Sequence, residues 1–239
     1  NKIKRDIMKY KGIIFDFNGT LLFDSEKHLE AWREYSKQLR GTPFTDEEMR
    51  DYMFGRTNED IIAYAIGKKP DQELVNKLGL EKEAVYREMC RKEGDNLKLA
   101  PHAEEFLDFL CENDIPHTIA TMSGIENVEF YIEQFNLKKW FDIDKIVYAN
   151  GKIPGKPAPD IYLIAAQNLR LDPKDCIVVE DAVSGINAAE NAGIGKIIAM
   201  ASMEPVELYE NMPSVGEIIT DFNQLDRSQF YLKTQSVIG

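Results

Sequence analysis

"GIIFDFNGTLLFDS", the stretch from Gly12 to Ser25, contains both a strand pattern and the first candidate residues for a functional site. It begins as a short apolar run, which is typical of a strand buried in a parallel sheet. The run ends in the carboxylate Asp16, and Asn18 follows two residues later. Two carboxylates at this spacing usually indicate phosphoryl chemistry on a metal ion, because hard cations prefer oxygen ligands. The second position here is an amide, so the stretch predicts a site at a strand end in which one catalytic group differs.

Similar apolar runs recur along the chain and alternate with amphipathic helical patterns. Strands that alternate with helices predict a parallel sheet covered by helices on both faces and joined by right-handed crossovers. The fold class is therefore expected to be α/β, with a Rossmann-like core. The predicted strands are 11–17, 116–121, 145–149, 175–180, 195–200 and 216–220, and the predicted helices are 102–113, 125–136, 158–170, 183–192 and 204–211.

The alternation breaks between Ser25 and Leu99, where the sequence shows helical patterns but no convincing strand. Thr57 and Asp60 have the spacing of a capping box at the start of one of these helices. We expect an all-helical cap domain over 25–95, inserted into a core domain formed by 8–24 and 96–226. Short hinges would let such a cap act as a lid over the strand ends. The cap helices are predicted at about 25–40, 45–53, 57–67, 71–78 and 80–93.

The composition is that of a folded globular protein, with 44% hydrophobic and 29% charged residues. The net charge of −12 argues against a nucleic-acid partner, which would need a basic face. No apolar run approaches the ~18 residues of a membrane span, and the basic start "NKIKRDIM" does not continue as a signal peptide. Three well-separated cysteines favour reduced thiols. We therefore expect a cytoplasmic protein with no membrane partner. A monomer is the default expectation, because a closing lid works in a monomer.

Polar side chains follow the predicted strands at the point where each strand ends. Ligands bind at this edge of an open parallel sheet, outside the carboxyl ends of the strands. The combination of carboxylates, small hydroxyls and a lysine predicts a site for Mg²⁺ and a phosphoryl group. The residues are Asp16, Asn18 and Thr20 after the first strand, Thr121 and Ser123 after the second, Lys152 and Lys156 after the third, and Glu180 with Asp181 after the fourth.

Four segments carry a resemblance to a known family. They are "FDFNGTL", "TMS" after the second strand, "GKPAPDIY" and "VVEDAVSGINAAENAG". In this order they resemble the four motifs of the haloacid dehalogenase-like hydrolase superfamily. The helical insertion is similar to that of the subgroup containing β-phosphoglucomutase and many sugar-phosphate phosphatases. The resemblance covers about residues 9–222 and implies a phosphohydrolase of small phosphorylated metabolites.

The resemblance implies a role for each matching residue. Asp16 would be the nucleophile that forms an aspartyl-phosphate. Mg²⁺ would be held by the carboxylate of Asp16, the backbone carbonyl of Asn18 and the carboxylate of Asp181, with Glu180 supporting these ligands. The oxygens of the transferred phosphoryl group would be held by Thr121, the backbone N–H of Met122 and Lys156.

The family normally has Asp at the position of Asn18, where it protonates the leaving oxygen and then activates water. An amide can do neither, and loss of general acid–base catalysis lowers a rate by ~10² to 10⁴. Four explanations stay open. The protein hydrolyses esters slowly or prefers leaving groups that need no proton, or it takes its proton elsewhere, for which His28 is nearest in sequence. Otherwise it binds phosphate esters without turnover, or deamidation of Asn18-Gly19 regenerates Asp.

In the cap, "FGRTNED" at 54–60 occupies the place of the substrate loop in β-phosphoglucomutase-like proteins. Gly55 would permit close backbone approach, and Arg56 could pair with a second anionic group of the substrate. A helix N-cap beside a surface arginine is an equally good interpretation. A mutase needs acid–base chemistry in both of its steps, so Asn18 counts against a mutase more than against a phosphatase. We expect a Mg²⁺-dependent phosphohydrolase; the alternatives are a catalytically silent phosphometabolite-binding protein and a β-phosphoglucomutase-like phosphotransferase.

Overall fold

The structure, a computed structural model, describes residues 9–53 and 56–232. The chain divides into two compact units. The core unit runs to Phe23 and resumes at Leu99, and the cap unit spans Asp24–Lys98. The sequence predicts two domains, a core over 8–24 and 96–226 and a cap over 25–95. That the two units fold and function as separate domains stays a prediction.

A six-stranded parallel sheet forms the centre of the core unit. Its order is β3-β2-β1-β4-β5-β6, so β1 lies in the middle. In register, Ile14 of β1 pairs with Thr118 of β2 on one side and Val178 of β4 on the other. The predicted α/β fold with a parallel sheet is therefore confirmed. The strands are β1 (Gly12–Phe15), β2 (His117–Gly124), β3 (Val147–Ala149), β4 (Cys176–Glu180), β5 (Lys196–Met200) and β6 (Val215–Ile219).

α-Helices flank this sheet and build the cap unit. Within the described ranges, α1 to α4 belong to the cap unit and α5 to α9 to the core unit. No helix among the described residues is long and apolar enough to cross a membrane. The helices are α1 (Ser25–Arg40), α2 (Asp46–Glu48), α3 (Asn58–Ile66), α4 (Gln72–Glu93), α5 (Ala103–Glu112), α6 (Ile125–Gln134), α7 (Asp160–Asn168), α8 (Val183–Asn191) and α9 (Val206–Glu210).

Both faces of the sheet are buried. Successive strand residues point to opposite faces, so Ile14 and Phe15 of β1 enter two different parts of the core. Ile14 belongs to an apolar cluster that includes Ile186 of α8. The ring of Phe15 contacts Phe106 of α5 and Phe222, with centroid distances of 6.2 and 5.9 Å. Burial on both faces explains why β1 is a continuous apolar run rather than an alternating one.

The cap unit has an apolar core of its own. Trp32 of α1 and Ile62 of α3 pack there with Met53, the last residue of the π-helix Met49–Met53. Thr57 caps α3 by accepting from the N–H of Asp60, and the Asp60 carboxylate accepts from the N–H of Thr57. The predicted capping box is confirmed. The part of the cap that the structure describes contains no strand, as expected.

Two details of the predicted cap helices are wrong. The predicted helices 71–78 and 80–93 are one continuous helix, α4. The break expected at Gly79 does not occur because Leu78 and Val85, on either side of it, pack against the cap core. A single glycine inside a helix costs only ~1 kcal/mol, which this packing outweighs. The predicted helix 45–53 is instead the short α2 followed by the π-helix Met49–Met53.

The two ends of the insertion are tied together within the core unit. The backbone N–H of Ala100 donates to the carbonyl of Leu21 at 2.7 Å. Leu21 follows β1, and Ala100 precedes α5. The core chain therefore closes on itself at the base of the insertion, and Asp16 and Asn18 lie just before this closure.

Candidate active site

The switch point of the sheet lies between β1 and β4. The chain proceeds from β1 to β2 on one side of this point and from β4 to β5 on the other. In open parallel sheets, ligands bind in the crevice at such a point, outside the carboxyl ends of the strands. The N–H of Asp16 donates to the carbonyl of Val179 at 3.0 Å. This hydrogen bond fixes Asp16 beside Glu180 at the crevice.

Three carboxylates meet at the switch point. Asp16, Glu180 and Asp181 offer oxygens that all lie within 4.8 Å of one another. Asp16 is 8% exposed and Glu180 is 1% exposed, so little water separates their charges. Lys156, just before α7, donates from Nζ to Asp16 Oδ1 at 2.8 Å and to Glu180 Oε1 at 2.5 Å. The fold thus joins one lysine and three carboxylates from distant parts of the chain.

This cluster carries more negative than positive charge. Burial, and then the neighbouring Glu180, raises the pKa of Asp16. Burial, and then the carboxylates of Glu180 and Asp16, raises the pKa of Asp181. Burial would lower the pKa of Lys156, but Asp16 and Glu180 outweigh it and hold that pKa well above its usual range. One ammonium group does not balance three carboxylates, so the cluster favours a further cation.

The donor set fits a hard divalent cation. Such cations prefer carboxylate oxygens, and the three carboxylates are close enough to share one ion. Burial, and after it the repulsion between neighbouring carboxylates, raises the pKa values of Asp16 and Asp181, and a bound cation would relieve the second effect. Asp16, Glu180 and Asp181 could therefore hold a metal while Lys156 stays available to an anionic ligand.

Hydroxyl groups that the sequence analysis did not single out support the cluster. Tyr162 of α7 donates to Glu180 Oε1 at 2.9 Å. Tyr209 of α9 donates to the carbonyl of Asp181 at 2.6 Å. Tyr162 belongs to the "GKPAPDIY" segment, so that motif already contained a signal for it. Tyr209 lies in no motif, and its contact depends on how α9 packs.

The turn after β1 requires glycine at position 19. The φ of Gly19 is +77°, in the left-handed region that glycine adopts without strain. A Cβ at this position would lie 2.2 Å from Asp181 Oδ2. In the same turn, Thr20 Oγ1 donates to Asp181 Oδ1 at 3.2 Å. The Asn-Gly-Thr sequence therefore lets this turn pack directly against a carboxylate of the cluster.

Asn18 is held by hydrogen bonds at both ends of its carboxamide. Its Nδ2 donates to the hydroxyl of Tyr131, on α6, at 2.8 Å. Its Oδ1 accepts from Ser123 Oγ at 2.7 Å, and Thr121 Oγ1 lies 3.4 Å away. The ring of Tyr131 also stacks on Phe17, with centroids 4.3 Å apart. Sequence reasoning missed Tyr131, because nothing in the spacing of α6 shows which turn faces β1.

Thr121 and Met122 lie near the carboxyl end of β2, which neighbours β1. Thr121 is buried, and its Oγ1 accepts from the N–H of Ser123 at 3.1 Å. Met122 is 38% exposed at this edge of the sheet. Lys152, in contrast to Lys156, is an exposed loop residue. The predicted phosphate-binding residues thus lie at the same sheet edge as Asp16, and their roles stay predictions.

The two cap residues named from the sequence belong to the other unit. The nitrogens of His28, on α1, contact Asp24 Oδ2 at 3.2 Å and Lys82 Nζ at 2.8 Å. Arg56 is exposed two residues before α3. Gly55, for which close backbone approach was predicted, lies outside the described residues. The expected roles of His28 and Arg56 toward a substrate stay predictions.

Comparison with known proteins agrees with this geometry. A family model described as haloacid dehalogenase-like hydrolase matches residues 10–193. A phosphorylated carbohydrates phosphatase from Thermotoga maritima is 30% identical over 189 residues, which cover 78% of this chain and 83% of the relative. A probable pseudouridine-5'-phosphatase from Drosophila melanogaster is 30% identical over 231 residues, which cover 93% of this chain and 94% of the relative.

A solved structure extends the likeness to the whole fold. A haloacid dehalogenase-type hydrolase, family IA, variant 3, from Entamoeba histolytica HM-1:IMSS matches with a TM-score of 0.86 at 38% identity. The match covers 92% of this chain and 96% of that chain. The resemblance drawn from four short motifs is confirmed. The chain belongs to the haloacid dehalogenase-like hydrolase family.

Proposed function

We propose that this protein is a Mg²⁺-dependent phosphatase of small phosphate monoesters that forms an aspartyl-phosphate on Asp16. The observation that carries the proposal is the buried cluster at the switch point. There Lys156 contacts Asp16 and Glu180 at 2.8 and 2.5 Å, and Asp181 completes a set of three carboxylates. A nucleophile, a cation for phosphoryl oxygens and oxygen ligands for a metal are thereby close together in one crevice.

Asp16 performs the bond-making step in this proposal. A carboxylate oxygen of Asp16 attacks phosphorus, and the bond between phosphorus and the leaving oxygen breaks. Water then attacks the aspartyl-phosphate and gives up a proton to solvent, since Asn18 cannot accept it; the bond to Asp16 breaks, and inorganic phosphate leaves. Lys156, Thr121 and the N–H of Met122 hold the phosphoryl oxygens, since positioning and electrostatics supply most of the catalysis in phosphoryl transfer.

The proposed metal ligands are the carboxylates of Asp16 and Asp181 and the backbone carbonyl of Asn18. Bound Mg²⁺ would neutralise negative charge on the phosphoryl group. Glu180 accepts hydrogen bonds from Lys156, Tyr162 and the N–H of Ala182, the last at 2.9 Å. These three bonds use three of the about four lone-pair positions on its two oxygens, so we assign Glu180 to supporting the ligands rather than to direct coordination.

Asn18 restricts the leaving groups that this site can use. An amide has no proton to give near neutral pH, so an alkoxide must depart from a sugar phosphate without acid assistance. An aryl or acyl phosphate loses a more stable anion and needs no such assistance. The missing acid lowers the rate by ~10² to 10⁴, or about 3–5 kcal/mol of barrier. We therefore propose slow turnover of sugar phosphates and relatively faster transfer of the phosphoryl group from activated phosphates to Asp16.

The relatives narrow the substrate class. The Thermotoga maritima relative is named for phosphorylated carbohydrates, and the Drosophila melanogaster relative for pseudouridine 5'-phosphate. Both names describe small metabolites with a phosphate ester on a sugar. We propose the same class for this chain. Arg56 and His28 of the cap unit are proposed contacts to the part of the substrate beyond the phosphoryl group.

The test compares the native protein with Asn18→Asp in Mg²⁺-dependent phosphate release. The substrates are p-nitrophenyl phosphate, a panel of sugar phosphates and a panel of nucleoside monophosphates. We expect Asn18→Asp to gain ~10² or more on the sugar phosphates. Release of p-nitrophenolate in the first turnover should gain little, because p-nitrophenolate leaves without a proton and only the later hydrolysis of the aspartyl-phosphate uses the base. Asp16→Asn serves as the control and should show no release in either background.

The rival proposal is a phosphometabolite-binding protein without turnover. Asn18 favours it, because an amide supplies neither the acid nor the base that turnover uses, and hydrogen bonds hold its carboxamide at both ends. Calorimetric titration with the same sugar phosphates separates the two. Binding by the native protein, with no phosphate release from any ester by either protein, would replace the phosphatase proposal with the rival.

A further inference from the structure

Asn18 precedes Gly19, and an Asn-Gly pair is chemically labile. The backbone nitrogen of the glycine attacks Cγ of the asparagine, a new N–C bond forms, and the bond to Nδ2 breaks with loss of ammonia. Water then opens the resulting succinimide at either carbonyl, which gives aspartate or isoaspartate. Glycine favours this reaction because it has no side chain to hinder the closure. The chain contains a second such pair, Asn150-Gly151.

Deamidation requires the carboxamide of Asn18 to move toward the backbone nitrogen of Gly19, but hydrogen bonds hold the carboxamide in place. Its Nδ2, the leaving nitrogen, donates to Tyr131 Oη at 2.8 Å, and its Oδ1 accepts from Ser123 Oγ at 2.7 Å. Tyr131 is 2% exposed and stacks on Phe17 with centroids 4.3 Å apart and an interplanar angle of 24°. The holding group is therefore itself fixed by packing. We call Tyr131 and Ser123 the carboxamide clamp.

The attacking nitrogen is engaged as well. The N–H of Gly19 donates to the carbonyl of Leu22 at 2.7 Å. In the same turn, the N–H of Leu21 donates to the carbonyl of Phe17 at 2.9 Å. Gly19 also packs against the Asp181 carboxylate, where even a Cβ would not fit. To close the succinimide ring, the folded protein would have to break the Gly19–Leu22 bond and release the carboxamide together.

Asn150-Gly151 is in a different environment. Asn150 is exposed, and its Oδ1 accepts from the backbone N–H groups of Lys152 and Ile153 at 2.9 and 3.1 Å. These contacts lie within one surface turn, which can open without disturbing the core. Asn150-Gly151 therefore serves as an internal control, an Asn-Gly pair of the same chain that lies outside the active site.

We propose that Tyr131 is a positioning residue that, with Ser123, keeps residue 18 an amide by protecting Asn18-Gly19 from deamidation in the folded protein. The inference rests on the proposed function in one respect. If residue 18 sets the range of leaving groups, opening the clamp converts the site from an amide form to a carboxyl form with a different substrate range. Protection itself is independent of any activity.

The experiment ages the native protein in warm, mildly alkaline buffer and follows deamidation by peptide mass. Trypsin releases the peptides 12–27 and 146–152, each of which contains a single asparagine, Asn18 or Asn150. In the native protein, Asn18 should deamidate at least about tenfold more slowly than Asn150. In the urea-unfolded chain the two rates should converge. Tyr131→Phe should raise the native rate at Asn18 by about fivefold, the effect of losing one hydrogen bond, and leave Asn150 unchanged.

Two further variants keep the outcome decisive. Tyr35→Phe removes a buried hydroxyl, bonded to Glu81 in the cap unit, and should leave the rate at Asn18 unchanged. Ser123→Ala removes the other half of the clamp and decides the matter if Tyr131→Phe does not fold. Equal native rates at Asn18 and Asn150 would overturn the proposal. A clamp variant that folds but leaves the Asn18 rate unchanged would do the same.

Activity of the aged samples gives a separate readout. The rate of phosphate release from sugar phosphates should track the fraction of chains in which Asn18 has become aspartate. If the aspartate peptide, separated by chromatography from the isoaspartate peptide of equal mass, accumulates in Tyr131→Phe and release does not rise, protection by the clamp stands and the role proposed for residue 18 in catalysis fails. The two proposals can thus fail independently.

Discussion

Lys156 and Lys82 are both buried lysines, one in the core unit and one in the cap unit, and their environments act in opposite directions. Their side chains are 7% and 3% exposed. The pKa of Lys156 is held well above its usual range, whereas burial lowers the pKa of Lys82. The same side chain at nearly the same depth is therefore stabilised as a cation in one unit and destabilised as a cation in the other.

The difference comes from the partners of each ammonium group. Lys156 contacts two carboxylates that are themselves buried, with Asp181 close by. Lys82 contacts one carboxylate, Glu83 at 3.0 Å, whose side chain is 24% exposed, and its other close partner is a ring nitrogen of His28. Burial opposes both charges, so the number and depth of the carboxylates decide which effect wins.

Removing Lys156 should have the largest effect on this comparison. Lys156→Met leaves three carboxylates without their ammonium partner, and losing one member of a buried ion pair costs about 3–5 kcal/mol of unfolding free energy. Added Mg²⁺ should restore part of that loss, and phosphate release should fall by ~10² or more. Urea unfolding with and without Mg²⁺ measures the first effect. Lys152→Met, in the same loop but exposed, is the control and should change neither quantity.

Moving a carboxylate away from Lys156 should have the next largest effect. A Cβ on Gly185 of α8 would lie 1.7 Å from Glu180 Oε1, so Gly185→Ala must displace Glu180 from Lys156 and Tyr162. We expect a loss of about 1–3 kcal/mol in thermal or urea unfolding, the usual range for overpacking. Ser184→Ala, an exposed neighbour on the same helix, should stay within about 0.5 kcal/mol. Native-like stability of Gly185→Ala would contradict the geometry.

Removing Lys82 should have a small effect, in contrast to Lys156. Met fills the aliphatic volume beside Trp32 and Tyr86, whose rings lie 5.4 and 5.8 Å from Nζ. Its partner Glu83 reaches water, and the buried Asp24 nearby keeps its contacts with Tyr86 and His28. We expect Lys82→Met to stay within about 1 kcal/mol of the native protein. Trp32 and Trp140 lie in different units, so Trp140→Phe lets Trp32 fluorescence report the cap unit alone. A loss as large as that of Lys156→Met would contradict the comparison.

The smallest expected effect is the response of the cap unit to alkaline pH. Because the pKa of Lys82 is lowered from 10.5, the folded protein binds fewer protons than the unfolded chain between that lowered value and 10.5. Lys82 should therefore contribute a rise in stability with pH through this window, by at most about 1.4 kcal/mol per pH unit for one proton. Other groups near Lys82 are Glu83, Asp24 and Cys90, and the raised pKa of the Cys90 thiol contributes a fall in stability with pH. The contribution of Lys82 is the difference between the pH profiles of the native protein and Lys82→Met, and identical profiles would assign the pH dependence to other groups.

Much of the fold could be predicted because it follows from local patterns. Continuous apolar runs such as Gly12–Phe15 reflect burial on both faces of the sheet, and Thr57 with Asp60 satisfies backbone groups at a helix start. The carboxylate cluster could be anticipated since parallel strands bring their carboxyl ends to one edge. The helix break at Gly79 was wrong because local propensity favoured it while packing against the cap core did not.

The side chains that hold the site could not be predicted in the same way. Tyr131 meets Asn18 across 113 positions of sequence, and Tyr209 meets Asp181 across 28. Such contacts depend on how far each helix is rotated about its own axis where it packs on the sheet. The spacing of residues within a helix does not predict this rotation. Lys82 also looks like an ordinary polar residue of α4, and only the packing of α1 against α4 buries it.

The hydrogen bond between Ala100 and Leu21 has a consequence for how such a chain can change over evolution. The chain segments on either side of the insertion are joined by this bond within the core unit, so the insertion leaves and rejoins the core at nearly one point. Loop closure at this point costs little more for a long segment than for a short one, since the entropy of closure grows only with the logarithm of length. Segments of very different length and ligand specificity could therefore replace one another between Phe23 and Leu99, while the site residues that follow β1 and β4 stay in place.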